Sequence, residues 1–214
     1  MPVPAVKNSE RRAGPKSAAT RLEILRAAAR LLRDQGYAAT TLRQIGEAAN
    51  KKAGSIYYYF DSKDDIFNEV LNEGLIAVFD AVRDAVEAAP ADATHRQRLE
   101  RAMKAHLDML HRKGEFTAAT IRSHDQLPPK LRQRHRKWRS DYGAYWDGLF
   151  TKAIEAGDVR EDFDVVPLRM FVVGAMNWTV EWFDAGKYDP DDLYDLVSKL
   201  LMQGMETHKN SNNC

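Results

Sequence analysis

The stretch "AGSIYYYF", residues 53–60, decides the fold because a run of aromatic residues follows a glycine in a short segment between polar residues. At 100° per residue of an α-helix, Ile56 and Phe60 project to one side. Gly54 and Tyr58 project to the opposite side, and the remaining two tyrosines lie on the flanks. The spacing therefore predicts a short helix with one anchoring side and one aromatic, outward side.

The residues just before this helix are Lys51 and Lys52. Ammonium groups at a helix N-terminus oppose the helix dipole and cost about 0.3 to 1 kcal/mol each unless an anion is nearby. A glycine lets the backbone approach DNA closely, and tyrosine hydroxyls reach phosphates with few rotamers. We therefore interpret the segment as a DNA-recognition helix. The alternative is that Tyr57, Tyr58 and Tyr59 pack in a core and the lysines are solvated.

The flanking sequence has the outline of a helix-turn-helix module. Apolar residues recur at helical spacing over residues 21–34, and Gly36 supplies a stop. Thr40 is the expected cap of a second, short helix, and Asn50 is expected to end it in a left-handed conformation. Ser62 begins a capping-box pattern, which predicts that a fourth helix starts there.

Composition is that of an ordinary globular protein, with 44% hydrophobic and 29% charged residues. Up to residue 66 the chain has twelve Lys or Arg against seven Asp or Glu, while the remainder has a net negative charge. This asymmetry indicates that the N-terminal part binds a polyanion. The one cysteine, Cys214, favours a reducing compartment. No apolar run of the sequence fits a secretory signal peptide or is long enough to cross a membrane. We therefore expect a cytoplasmic protein that does not contact a membrane.

Three stretches resemble the DNA-binding domain of the tetracycline repressor (TetR) family: "GYAATT" at 36–41, "IGEAA" at 45–49 and "GSIYYYFDSKD" at 54–64. The resemblance covers residues 20–70. It implies an all-helical homodimer that regulates transcription, usually as a repressor, by binding a palindromic operator in double-stranded DNA. It also implies release by a small-molecule effector, with no cofactor.

The candidate DNA-binding residues combine this resemblance with the helix geometry. They are Thr41, Arg43, Lys51, Lys52, Gly54, Ser55, Tyr57, Tyr58, Tyr59 and Lys63. The chain departs from the family pattern at 50–52, where Asn-Lys-Lys replaces the common glycine, small apolar residue and serine. This loses the serine cap of the recognition helix and predicts stronger phosphate anchoring.

Turn signals divide the remaining two thirds into about five further helices. The expected fold class is all-α, with an N-terminal three-helix helix-turn-helix domain and a C-terminal helical bundle for ligand binding and dimerisation. The expected divisions are a flexible basic arm at 1–18, the DNA-binding domain at 19–66, the effector-binding and dimerisation domain at 67–207, and a disordered tail at 208–214.

The last two predicted helices have more apolar faces than one chain can bury, and in the resembled family they form a four-helix dimer interface. The candidate interface residues are Phe171, Ala175, Leu193, Leu196, Val197 and Leu200.

Two stretches, "LPPKLRQRHRKWR" at 127–139 and "AMNWTVEWF" at 175–183, are similar to family members that sense acyl-coenzyme A thioesters. A basic rim beside an apolar tunnel suits a phosphorylated ligand with a fatty tail, although core packing and a solvated charged face explain the same residues. The candidate effector-binding residues are Arg134, Trp138, Tyr142, Trp146, Asn177, Trp178 and Trp182. An apolar or acyl-coenzyme A effector is expected.

Enzymatic readings have little support. His106 and His111 are five residues apart, a spacing that does not put both on one helix face, and no further ligand-like residue accompanies them. Nucleophile-elbow, P-loop and dinucleotide-binding motifs are absent from the sequence. No catalytic or metal-binding residue is therefore predicted. The alternatives left open are an architectural DNA-binding protein without an effector and an all-helical acyl-coenzyme A-binding enzyme.

Overall fold

The computed structural model describes residues 15–184 and 186–205. Within these ranges the chain forms nine α-helices and no strand, as the all-α prediction requires. The helices are α1 Pro15–Ala39, α2 Leu42–Ala48, α3 Ala53–Tyr59, α4 Lys63–Glu87, α5 His95–Asp108, α6 Glu115–Ser123, α7 Pro129–Glu155, α8 Val165–Trp182 and α9 Pro190–Met205. A π-helical turn, Met109–Lys113, precedes α6, and a 3-10 turn, His124–Gln126, follows it.

The first helix begins at Pro15, so the last residues of the expected basic arm are helical. The rest of that arm, residues 1–14, lies outside the described residues, as does the expected tail at 208–214.

The junction between α1 and α2 corrects one sequence-based expectation. Gly36 has a φ of 79°, which kinks α1, but helical backbone continues for one more turn to Ala39. Thr40 is buried and its hydroxyl donates to the Gly36 carbonyl at 2.8 Å. The cap of α2 is instead Thr41, which forms a capping box with Gln44. Thr40 is already committed to ending α1, so the cap falls one residue later than predicted.

The other turn predictions are confirmed. Asn50 has a φ of 52° and closes the turn between α2 and α3. The Ser62 hydroxyl accepts a hydrogen bond from the Asp65 backbone nitrogen and so caps α4.

The helices pack around two apolar clusters. The first cluster, here called the head core, joins α1, α2, α3 and the first part of α4 with residues from α6 and the start of α7. The second, the body core, joins the later part of α4 with α5, α7, α8 and α9. Helix α4 belongs to both, with Phe67 and Val70 in the head core and Val78 and Val82 in the body core. It is therefore the rigid connection between the two regions.

Helix α6 is the second connection. The Ser123 hydroxyl donates to the Leu32 carbonyl of α1 at 3.1 Å, and the Thr117 hydroxyl donates to the Gly74 carbonyl of α4 at 3.1 Å. At the start of α6, Glu115 pairs with Arg30 of α1 at 3.0 Å. A displacement of α6 would therefore move the helices of the head core through its contacts with both α1 and α4.

Across residues 15–184 and 186–205, no helix has the length and apolar character needed to span a membrane. The same residues include no cluster of His, Cys, Asp or Glu arranged to hold a metal ion.

Candidate functional site

The outward side of α3 is aromatic and open. Ile56 is fully buried and Phe60 nearly so, while Tyr57 and Tyr58 are 60% and 73% exposed. Tyr59 is half-buried against the head core, and its ring meets that of Tyr58 edge-on, with centroids 5.1 Å apart. The two sides of α3 thus point as helical phase predicts, and the alternative in which all three phenols are core residues does not fit this geometry.

The start of α3 is also open. Lys52 is the residue before the helix, it is exposed, and its side chain makes no capping hydrogen bond. A Cβ added to Gly54 would meet nothing within 4 Å. Ser55 is exposed beside it. Together these residues leave the N-terminal half of α3 unobstructed, so that a DNA backbone can approach it.

Two of the predicted DNA-binding lysines are engaged within the protein. The Lys51 ammonium pairs with Glu23 of α1 at 2.9 Å. The Lys63 ammonium lies 4.1 Å from the ring centroid of Tyr37 and donates to the carbonyls of Tyr37 and Thr40 at 3.0 and 2.9 Å. Lys63 therefore satisfies carbonyl groups at the end of α1. This arrangement favours a structural contribution for both lysines over a direct phosphate contact.

The remaining two predicted DNA contacts are at the start of α2. Thr41 is exposed and caps the helix, and Arg43 is exposed with its guanidinium 3.6 Å from the Glu47 carboxylate. Ion pairs this exposed are weak, so Arg43 is available to a phosphate.

The body contains a cavity of about 190 Å³ between α4, α5, α6, α7 and α8. Its wall includes three of the predicted effector residues, Tyr142 and Trp146 of α7 and Asn177 of α8. It also includes His106 of α5, which sequence reasoning did not select as a ligand-binding residue. Burial lowers the pKa of His106 to about 4 and outweighs the opposite effect of its hydrogen bond to Asn177, so the ring is neutral at pH 7.

One edge of the cavity is cationic. Arg139 and His124 line it, and both also line an adjacent shallow depression with Arg132 and Arg136. No carboxylate of the described residues lies within ion-pair distance of these three arginines. Arg169 lines the same cavity, but its guanidinium is paired with Asp147 at 2.7 Å. The unpaired arginines therefore form a site that can accept an anion.

The other four predicted effector residues are not on the cavity wall. Arg134 is exposed and Trp138 is half-buried away from the cavity. Trp178 and Trp182 are 66% and 51% exposed on the outer face of α8. They point about 100° or more away from Asn177 around the helix, so they do not face the cavity that Asn177 lines.

The outer face of α8 and α9 carries most of the predicted dimer residues. Phe171 is 80% exposed, Ala175 is exposed, and Leu196 and Leu200 of α9 are 51% and 65% exposed. Leu193 differs because it is buried within the body core of a single chain. Val197 is half-buried against the same core.

Two family models match this chain. One, "Tetracyclin repressor-like, C-terminal domain", matches residues 92–205, and the other, "Bacterial regulatory proteins, tetR family", matches residues 24–70. The first alone covers more than half of the chain. The protein belongs to the TetR family. It is accordingly a helix-turn-helix transcriptional regulator and not an enzyme.

Relatives in the TetR family span nearly the whole chain. The fatty acid metabolism regulator of Bacillus subtilis is 26% identical over 186 residues, which are 86% of this chain and 94% of that protein. The repressor KstR2 of Rhodococcus jostii is 26% identical over 195 residues, 89% of this chain and 93% of its own.

Solved structures of TetR regulators share the fold. KstR2 of Mycobacterium tuberculosis, a ketosteroid regulator, superposes with a TM-score of 0.78 at 23% identity over 88% of this chain and 95% of that chain. AibR in complex with isovaleryl coenzyme A and operator DNA superposes with a TM-score of 0.76 at 21% identity over 86% and 98%.

The basic run of α7, predicted as a whole to form a rim beside an apolar tunnel, has two sides in the structure. On α7, Arg132, Arg136 and Arg139 follow helical spacing to Tyr142 and Trp146, whereas Arg134 lies about 200° from Arg132. The helical phase of the two aromatic residues therefore selects which cations of the basic run lie beside the cavity. His106 has no such signal, because only packing of α5 against α7 and α8 brings it to the wall.

Proposed function

We propose that this TetR-family protein binds an inverted-repeat operator as a homodimer in the cytoplasm and is released from it by a coenzyme A thioester. The observation that carries the effector proposal is the cavity itself. An apolar interior opens beside Arg132, Arg136 and Arg139, which form no ion pair with the described residues, although the Asp125 carboxylate acts on Arg139 from a greater distance. An acyl group fits the interior, and coenzyme A phosphates fit the cations.

The DNA-binding half of the proposal rests on α3. Its exposed Tyr57 and Tyr58, open Gly54 and free Lys52 are the groups that reach phosphates and base edges, while Ile56 anchors the helix. Two such helices in a symmetric dimer would read successive major grooves about 34 Å apart, which requires an inverted repeat.

The dimer is supported by the outer face of α8 and α9. Phe171, Trp178, Trp182, Leu196 and Leu200 are all more than half exposed in the single chain. An exposed apolar patch of this kind marks an interaction surface. We therefore include Trp178 and Trp182 in the proposed dimer interface and not in the effector site.

Release follows from where the cavity lies. Helix α6 contributes Thr117, Thr120 and Ile121 to the cavity wall and also binds α1 and α4. A ligand that favours another position of α6 would change the spacing of the two recognition helices and shift the population away from the DNA-binding form.

The test begins with selection of binding sites from a random duplex pool, followed by footprinting of the selected site. Release is then titrated by fluorescence anisotropy with acyl-coenzyme A thioesters of four to twelve carbons, the matching free acids, and coenzyme A alone. We expect an inverted repeat and release by a thioester at concentrations at which its free acid is inactive. Release by free acids as readily as by thioesters would overturn the effector proposal.

Two α7 variants form a matched pair for the cationic edge. Arg139→Gln removes a cation at the cavity and should raise the half-releasing thioester concentration by about 10-fold or more. Arg134→Gln removes a cation from the exposed opposite face and should leave it unchanged. Equal effects of both changes would mean that only the overall charge of the helix matters.

A further inference from the structure

The cavity wall contains a chain of three hydrogen-bonded side chains that the proposed function does not use. His106 Nδ1 lies 2.7 Å from the Tyr142 hydroxyl, and His106 Nε2 lies 2.9 Å from Asn177 Oδ1. The three residues come from α5, α7 and α8, and all three line the cavity. These hydrogen bonds therefore connect the three helices α5, α7 and α8 at the wall of the cavity.

The proton positions in this chain follow from the chemistry of the groups. An amide oxygen only accepts hydrogen bonds, so His106 must donate from Nε2 to Asn177 Oδ1. A neutral imidazole has one donor nitrogen, and its Nδ1 consequently accepts from the Tyr142 hydroxyl. Burial keeps the chain neutral, because it lowers the pKa of His106 to about 4 and raises that of Tyr142.

One group in the chain has no partner. The Asn177 oxygen is held by His106, which fixes the orientation of the amide, but none of the described residues accepts a hydrogen bond from its nitrogen. A donor that has no protein partner on a cavity wall is a position where a ligand acceptor gains affinity.

We propose that the Asn177 amide nitrogen donates a hydrogen bond to the carbonyl oxygen of the effector, so that the site reads a thioester carbonyl and not only an acyl chain. This inference rests on the proposed function, since it assigns a contact to the same cavity. His106 is a positioning residue, because it acts on the effector only by holding the Asn177 oxygen.

The experiment compares each acyl-coenzyme A, from four to twelve carbons, with the S-alkyl-coenzyme A thioether of the same length. The thioether keeps the chain, the sulfur and the phosphates but lacks the carbonyl oxygen. We expect wild-type protein to be released by the most potent thioester at a concentration about 10-fold lower than by its thioether, which is the scale of one hydrogen bond.

Variants at 177 test the assignment. Asn177→Leu removes the donor, and the thioester-to-thioether ratio should fall to about one. Asn177→Asp keeps an acceptor for His106 but lacks the amide donor, so the ratio should also be lost even if Asn177→Leu is poorly folded. A variant of either kind that keeps the wild-type ratio would show that Asn177 does not read the carbonyl.

Variants at 106 test positioning. His106→Gln retains an N–H that can reach the Asn177 oxygen and should keep much of the ratio, whereas His106→Leu should lose it. Thermal unfolding of each variant separates this effect from general destabilisation, because loss of stability alone does not change a ratio of two ligands.

The outcomes separate the inference from the proposed function. If neither compound class releases DNA, the proposed effector fails, and the inference with it. If thioester and thioether release wild-type protein equally, the effector class stands and the carbonyl contact is overturned. Side-chain ¹⁵N spectra give an independent check, in which an Nε2–H tautomer of His106 supports the inference and an Nδ1–H tautomer overturns it by reversing the amide.

Discussion

The head and the body of this protein are both helical and both packed on apolar cores, but their functional groups lie in opposite places. In the head, Tyr57 and Tyr58 point outward from a helix whose other side, at Ile56, is sealed. In the body, His106 and Asn177 point inward to a cavity. The head presents a surface because DNA is larger than the domain that binds it. The body has a cavity because a small effector can be enclosed.

This difference sets what a mutation does in each region. We expect a change on the outer side of α3 to weaken DNA binding without disturbing packing. A change in the body alters a wall that is also part of the core, so binding and stability are harder to separate. Matched pairs of substitutions separate the two quantities.

The largest expected effect is at α3. Ile56→Ala should lower the free energy of unfolding by about 2 to 5 kcal/mol, because a fully buried side chain is truncated. Tyr58→Ala should leave the unfolding free energy nearly unchanged and abolish footprinting. Chemical denaturation and DNA anisotropy measure the two quantities. A Tyr58→Ala protein that unfolds readily would contradict the outward orientation of α3.

The second effect is at the crossing of α4 and α6, where head and body meet. A Cβ on Gly74 would lie 2.6 Å from the Phe116 carbonyl oxygen, a backbone atom that cannot move aside alone. Gly74→Ala should therefore destabilise the protein by about 1 to 3 kcal/mol, as overpacking does.

The matched control is Gly148→Ala in α7. A Cβ there meets nothing within 4 Å, so the better helix propensity of alanine should stabilise the protein by up to about 1 kcal/mol. Denaturant midpoints for the two variants should move in opposite directions. A stabilised Gly74→Ala protein would mean that α4 and α6 are not in close contact in solution.

The same contrast explains how much the sequence could predict. Helical phase places Ile56, Phe60 and the tyrosines of α3 correctly, because a short helix against one core has a single inward side. Helical spacing also puts Phe171 and Trp178, seven residues apart, on one side of α8. Helical spacing does not show what each side of a helix packs against. The sequence analysis therefore places Trp178 in the effector site and Leu193 at the dimer interface, whereas in the structure Trp178 is exposed and Leu193 is buried in the body core.

Local competition limits prediction as well. Thr40 and Thr41 are both good helix caps, and only the hydrogen bond from Thr40 to the Gly36 carbonyl decides between them. Lys51 and Lys63 are basic residues in a DNA-binding motif, yet Glu23 and the end of α1 hold them. In each case a tertiary contact, not a propensity, selects the outcome.

A smaller effect is expected at His135 of α7. It is buried, and neither ring nitrogen has a hydrogen-bond partner among the described residues. Burial, helped by nearby His124 and Arg134, lowers its pKa to about 4 from 6.5. The unfolded chain therefore binds this proton first as the pH falls. The contribution of neutral His135 to the free energy of unfolding is present in full above pH 6.5 and is lost as the pH falls from about 6.5 to 4.

The substitution His135→Leu should accordingly have two effects. It should raise the unfolding free energy at pH 7 by about 1 to 2 kcal/mol, since it removes unsatisfied buried polar atoms. It should also reduce the slope of unfolding free energy against pH between 6.5 and 4 by about 1.4 kcal/mol per pH unit. Denaturant unfolding across this pH range measures both, and an unchanged slope would show that His135 is already protonated in the folded protein or reached by solvent.

The smallest effect is at Lys52, where the head combines a weak helix start with a free cation. Lys52→Ser would supply the missing side-chain cap of α3 and remove a charge that opposes its dipole, so unfolding free energy should rise by about 0.5 to 1 kcal/mol. If Lys52 contacts a phosphate in each half of the dimer, the same change should weaken operator binding and reduce the slope of log affinity against log salt by about 1.8, since two contacts are lost. Lys52→Ala, which removes the charge without providing a cap, should reproduce the change in salt slope but only the dipole part of the stability gain. A Lys52→Ser protein with an unaltered salt slope would place DNA away from the start of α3, because a cation that neutralises a phosphate cannot be removed without releasing fewer counterions.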